Sequence, residues 1–373
     1  MVLSATTWYL VAIKMSPKRF VIVFALFIGA GLTTCALFNF IVNPYAQYPS
    51  TLVLPLVHTS RSTKVSKLDQ HDTAPEGLLL GSSRVMKLQP EYLASELGCK
   101  DFYNAGVFFG KQEDNLAMLR FYRERFGTSP KILVMGVDVH GFNDGIKTDA
   151  RLLNNPQMAR QIQDIIPLKD RFQGVKGLVA WNQTKASIKS VVQAIRPKDE
   201  ATANEVFNPD GWVIYPQKEQ EIADGVYDLA PNLSYSKKEY KFLMSGYETL
   251  SQRRIEIFLS LIDECQQSGT KVFVFLTPLH PELADYLAES TVYPDRRADV
   301  IDLLESESAA HNFAFCDLST IETFGGSATN FIDGIHPLQG NTRLMIDRIA
   351  GVGSRPVSTC FSIATFLFSS SCL

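Results

Sequence analysis

Apolar and polar positions along the chain fall into three regimes. Val21–Val42 is almost wholly apolar, and no Asp, Glu, Lys or Arg occurs from Phe20 to Ser60. These twenty-two residues, at 1.5 Å each, reach roughly 30 Å, the thickness of a bilayer's hydrocarbon core. The pattern predicts a transmembrane helix over 20–42. The run is longer than the apolar stretch of a secretory signal, and no small-x-small cleavage site follows it. Residues 43–75 are polar, carry several prolines and hold no period, which predicts a linker.

From Gly77 onward the chain alternates. Short apolar runs at Gly77–Gly81 (GLLLG), Asp101–Val107 (DFYNAGV), Lys131–Val137 (KILVMGV), Lys271–Thr277 (KVFVFLT) and Phe313–Leu318 predict five strands. Between them, helical spacing predicts helices over Pro90–Gly98, Gln112–Phe126, Tyr247–Ser268, Glu282–Glu289 and Arg296–Ser306, with a last one starting near Pro337. Strand–helix alternation implies an α/β fold, a doubly wound parallel sheet covered on both faces. The rhythm lapses between His140 and Gly246, a stretch rich in Asn, Gln, Lys and aromatics that reads as a large insertion after the third strand. The domain predicted over 76–350 ends in an atypical tail, 351–373, without a charged residue after Arg355.

Charge adds an orientation. Lys14, Lys18 and Arg19 precede the apolar run and none follows it closely, so the positive-inside bias puts residues 1–19 in the cytoplasm and the main body outside. A net charge of −3, with no basic stripe, argues against nucleic acid as a partner. The six cysteines are scattered, with no C-x-x-C pair, so neither a metal site nor a disulfide framework is suggested, and no cofactor motif is present.

In a doubly wound sheet, sites lie beyond the C-terminal ends of the strands. Those ends carry Gly81-Ser82-Ser83-Arg84, Asn104-Ala105-Gly106 and Asp138-Val139-His140, and Asp333-Gly334-Ile335-His336 follows the fifth strand. An aspartate three residues before a histidine can accept the imidazole Nδ1–H and leave Nε2 as a base for a serine. Ser83 has two readings, a helix cap or a nucleophile; His140 and His280 are rival bases, His280 more in keeping with a structural role. Trp181, Trp212, Tyr215 and Tyr227 of the insertion would stack on sugars or pack the insertion itself.

This constellation resembles the SGNH (GDSL-like) hydrolase family. Its first block matches Gly81-Ser82-Ser83, its second Gly106, and its last, D-x-x-H, Asp333 and His336. The resemblance covers Gly77–Val139 and Gly246–Ala350. It implies a flavodoxin-like sheet, catalytic Ser83, His336 and Asp333, and an oxyanion hole from the N–H groups of Ser83 and Gly106. Where the family's third block has an asparagine, this chain has Asp138, a departure that sets a carboxylate where a donor is expected. Arg84 is a candidate substrate contact. The GSSR turn behind one N-terminal anchor is similar to the accessory proteins of envelope-polymer acylation, those of alginate acetylation and of teichoic-acid D-alanylation. That similarity implies an esterase or O-acyltransferase using an acylated glycan or other acyl donor, beside a multispanning membrane O-acyltransferase. The alternative it leaves open is a non-catalytic assembly protein on the same fold.

Overall fold

The computed structural model describes residues 16–44, 48, 52–53, 60–153, 155–167, 177–195 and 205–353. The atypical tail lies almost wholly outside the described residues.

The N-terminal apolar run forms helix α1 (Pro17–Val42), capped by the Ser16 hydroxyl and closed by Asn43 in a left-handed conformation. It is long and apolar enough to cross a membrane, and its most apolar window is exposed throughout. The predicted linker is a linker only in part. Residues Ser60–Asp69 fold into helix α2, whose inward side carries Ser60, Arg61, Lys64, Val65 and Leu68. Arg61 forms a buried ion pair with Asp114, with Nε 2.7 Å from Oδ1. Lys64 donates to the main-chain oxygens of Asn104 and Gly211. Burial depresses the Lys64 pKa well below that of an ordinary lysine.

The body is a five-stranded parallel sheet in the order β2–β1–β3–β6–β7, with β1 Gly77–Leu80, β2 Phe102–Asn104, β3 Ile132–Val137, β6 Lys271–Leu276 and β7 Ala314–Asp317. Alternate strand residues enter different cores. Leu78, Leu80, Leu133, Met135, Val272 and Val274 pack with α4 (Gln112–Phe126) and with the helix Gln252–Gln267. Leu79, Val134, Phe273 and Phe275 pack on the other face with α3 (Pro90–Leu97) and the final helix, Gln339–Gly353. Helices stop where glycine relieves the left-handed turn: Gly98 after α3 at φ 71° and Gly127 after α4 at φ 67°.

Part of the insertion packs on the sheet's C-terminal edge. It contains helix α5 (Trp181–Ile195), a ribbon of β4 (Val206–Phe207) and β5 (Val213–Ile214), α6 (Pro216–Ala223) and α7 (Ala230–Met244). The ribbon sits over β1 and β2: Asn104 N donates to Asp210 O at 2.8 Å, and Val213 N to Met86 O at 3.2 Å. Three of the insertion's aromatics therefore have packing roles. Trp212 Nε1 donates to Lys87 O at 3.2 Å, Tyr215 is buried with Met86 and Ile332, and Tyr227 donates to Ile332 O.

Candidate active site

The turn after β1 is built around Val85. Gly81 has φ +144°, a region essentially reserved for glycine, and a Cβ there would stand 2.7 Å from Gly136 O. A Cβ at Gly106 would meet Val85 Cγ2 at 2.6 Å, and one at Gly136 would meet Val85 Cγ1 at 2.4 Å. Three strand-end glycines thus leave the space into which Val85 plugs the turn. The expected helix after the serine is only a single 3-10 turn, Ser83–Val85, and α3 starts later, at Pro90. The capping serine is Ser82, whose Oγ accepts the Arg84 N–H at 3.3 Å. Ser83 is left with another partner.

That partner is His336. Ser83 Oγ lies 2.8 Å from His336 Nε2, and His336 Nδ1 lies 2.7 Å from Asp333 Oδ2. The other carboxylate oxygen, Oδ1, accepts the N–H groups of Ile335 at 2.8 Å and His336 at 2.9 Å. Burial opposes ionisation of Asp333, but His336 and these donors outweigh it and hold the carboxyl at about 2. Ser83 is buried, whereas the side chains of Asp333 and His336 are 18% exposed. The hydroxyl therefore lies at the inner end of a relay that opens to solvent.

The loop carrying the pair is closed on itself and braced from outside. Ile332 N donates to His336 O, and Leu338 N to Asn330 O, both at 2.9 Å. Gly334 contributes its N–H to Ser236 Oγ at 3.2 Å and accepts from His280 N at 2.9 Å. His280 also caps the helix Pro281–Ser290, its Nδ1 accepting from Glu282 N at 3.2 Å, so its role is structural. Ser236 and Tyr227, both from the insertion, hold the loop. Glu239 of α7 is close enough to sense His336 and Asp333; burial raises its pKa.

The donor side differs from expectation. The Gly106 N–H, nominated for an oxyanion hole, is engaged by Asn104 Oδ1 at 3.1 Å. Asn104 also donates through Nδ2 to Val85 O at 2.9 Å and Leu88 O at 3.0 Å, clamping the serine turn to the end of β2. Asp138 is not a donor either. Its Oδ1 accepts the Thr277 hydroxyl at 2.5 Å and lies 3.5 Å from Arg84 Nη1. Burial opposes its charge, but Arg84, His140 and Thr277 hold its pKa below the usual carboxylate value. Arg84, the nominated substrate contact, is likewise buried. Its Nη1 donates to Thr277 Oγ1 at 2.8 Å and its guanidinium stacks 5.0 Å from the Tyr240 ring centroid. The first N–H groups of a helical turn have no partner within it, so the Ser83 N–H is the remaining donor of those nominated.

His140, the other rival base, belongs to the Asp138 cluster, its Nε2 3.9 Å from Asp138 Oδ2. Burial lowers its pKa to about 4. Among the described residues no group of His, Cys, Asp and Glu side chains is arranged to hold a metal ion. The pattern at strand ends points to Ser83, Asp333 and His336 but not to Thr277, Ser236 and Tyr240, nor to the bracing that Asn104 and Tyr227 supply, which hold them or their neighbours. Only Asn104 carried a signal, as a polar residue completing an apolar strand. Compared with known protein families and with curated proteins, the chain matches none.

Proposed function

We propose that this protein is a membrane-anchored, extracytoplasmic serine esterase or O-acyltransferase of the SGNH type, acting on an acylated cell-envelope glycan. The observation that carries the reading is the two-bond relay from Ser83 Oγ through His336 to Asp333, at 2.8 and 2.7 Å. These are hydrogen-bond distances suited to proton transfer. The strand order supports it, because the serine turn and Asp138 flank the β1–β3 crevice where the order reverses.

In this mechanism His336 Nε2 takes the Ser83 proton as Oγ attacks the acyl carbonyl. Asp333 keeps the proton of the neutral ring on Nδ1 and stabilises the imidazolium as it forms. Collapse of the tetrahedral intermediate breaks the ester bond, and His336 returns its proton to the departing alkoxide. Water or a second hydroxyl then attacks the acyl-serine, giving hydrolysis or transfer. The Ser83 N–H supplies one oxyanion donor; loss of one such donor typically costs about 10²–10³ in rate, so a slow enzyme is expected. The helix α1, with Lys14 before it, Lys18 and Arg19 in its first turn and no Lys or Arg close after it, supports a single-pass anchor with residues 1–19 in the cytoplasm.

A second reading has its own observation. The Gly106 N–H is occupied and Asp138 is a carboxylate, which favours a non-catalytic assembly protein that binds glycan or a membrane O-acyltransferase. Fluorophosphonate labelling separates the two. Esterase or transferase chemistry requires labelling of the wild type that vanishes in Ser83→Ala and falls strongly in His336→Ala. A folded wild type that stays unlabelled makes the protein a binder.

A further inference from the structure

Helix α1 is lipid-like in its exposure except over its last two turns, where Asn39 and Val42 are buried. Asn39 is covered by α5 and by Leu178 just before it. Asn39 Nδ2 donates to Leu178 O at 2.7 Å and to Thr184 Oγ1 at 2.9 Å, and Ser187 Oγ donates to Asn39 Oδ1 at 2.7 Å. Cys35 Sγ lies 3.2 Å from Thr184 Oγ1. Small and hydroxylic side chains that satisfy an amide on an apolar helix are the contacts by which helices associate in lipid.

The amphipathicity of α5 is inverted. Its buried positions are Gln183, Ala186, Ser187 and Ser190; its exposed ones include Trp181 at 66%, Ile188 at 49%, Val192 at 50% and Ile195 at 73%. At 100° per residue those four exposed side chains fall within about 60° of arc, opposite the polar face. A helix in water presents the reverse arrangement. Lys185 and Lys189 lie on one shoulder of the stripe, Lys185 Nζ 5.4 Å from the Trp181 ring centroid, a pairing suited to the headgroup layer. At about 22 Å the helix is too short to span.

We propose that α5 is a second membrane-contacting element, lying in the interfacial layer of the leaflet next to the catalytic domain, with Trp181, Ile188, Val192 and Ile195 in the acyl region. The inference rests on the reading of α1 as a membrane span. The occupant is lipid because α5 packs directly on the final turns of α1: the medium that surrounds Leu37, Phe40 and Ile41 at that level also meets the α5 stripe. The same insertion braces the acid–base loop through Tyr227 and Ser236, so the contact couples the site to the bilayer surface.

The test uses the full chain in nanodiscs of phosphatidylcholine and phosphatidylglycerol, with and without acyl-chain bromination. The tryptophans are Trp8, Trp181 and Trp212, so the emission of Trp181 is the difference between wild type and Trp181→Phe. The expected result is that brominated lipid removes most of this difference emission and aqueous acrylamide leaves it. Emission quenched by acrylamide and untouched by bromine would overturn the proposal, leaving the stripe for a protein partner. Alkaline carbonate extraction of native membranes tests the anchor separately. Chain retained with Trp181 in water refutes the α5 contact alone; chain released refutes the span and the contact together. Exchange of Ile188 and Val192 for Asp should move Trp181 into acrylamide's reach without releasing the chain; unchanged quenching would count against the stripe.

Discussion

Replacing Asp333 by Asn changes one oxygen to an amide nitrogen, and the surrounding hydrogen bonds dictate which one. Oδ1 accepts two main-chain N–H groups, from Ile335 and His336, while Oδ2 faces only His336 Nδ1. An asparagine keeps both main-chain bonds only if its carbonyl oxygen takes the Oδ1 place. Its NH2 then faces Nδ1 and donates to it, so the imidazole proton moves to Nε2. That nitrogen now donates to Ser83 Oγ and cannot accept the serine proton. The variant should keep the geometry and melting temperature of the wild type, because every buried partner remains satisfied. Reactivity should fall by roughly 10⁴, the loss seen when a triad carboxylate becomes an amide and traps the wrong tautomer. The assay is the second-order rate of fluorophosphonate labelling, with thermal unfolding of the same detergent-solubilised samples as control. An Asp333→Asn protein that labels within about tenfold of wild type would show that His336 does not serve as base through this relay.

Three further outcomes follow from the same packing. His140 is neutral when buried, with a folded pKa of about 4 against an unfolded value of 6.5, so the unfolded chain binds more protons as pH falls through that window. Between pH 7 and pH 5 this group should lower stability by about 2 kcal/mol, a slope that denaturant titration should find flattened in His140→Gln. Gly81→Ala forces an L-residue to φ +144° with its Cβ against Gly136 O; it should lose about 1–3 kcal/mol from the backbone alone, read as a lower melting temperature with weakened labelling. Asp138→Asn removes the counter-charge of a buried arginine and should destabilise by about 3–5 kcal/mol without raising the labelling rate; faster labelling at unchanged stability would put residue 138 in the oxyanion hole instead.

Some of this was readable from residue order and some was not, for reasons that differ by residue. The strands GLLLG, KILVMGV and KVFVFLT are apolar because both faces of the sheet are covered, and strand ends in a parallel sheet converge on one edge. That convergence let Ser83 and the Asp333–His336 pair be nominated across some 250 residues, with local chemistry fixing the spacing of the latter. Helix α2 was misread because its inward face is charged. Arg61, Lys64 and Leu68 have helical spacing, yet their burial depends on Asp114 and on main-chain oxygens more than 39 residues away. Gly106 was nominated for its missing side chain, which is in fact needed to admit Val85. Its N–H is taken by the side chain of Asn104 two residues earlier, which is oriented by Val85 O and Leu88 O across the turn.

The carboxylate at 138 becomes intelligible once it is paired with Arg84. A buried guanidinium directly after Ser83 would be very costly without an anion, and Asp138, at the next strand end, supplies one. Thr277, from the strand beyond, joins them by accepting from Arg84 and donating to Asp138. Three adjacent strand ends, after β1, β3 and β6, are thereby tied by one ionic cluster directly behind the serine turn, and Tyr240 closes it from the insertion. Asp138 and Arg84 therefore depend on each other: an amide at 138 would leave the arginine uncompensated, and a neutral residue at 84 would leave the aspartate so. The cluster spends its charge on holding the turn, which explains why Ser83 reaches His336 at 2.8 Å while position 138 offers no donor to an oxyanion. On the esterase or acyltransferase reading proposed above, such a site would depend on an activated, well-positioned acyl donor, because positioning would then supply part of what a second oxyanion donor does not.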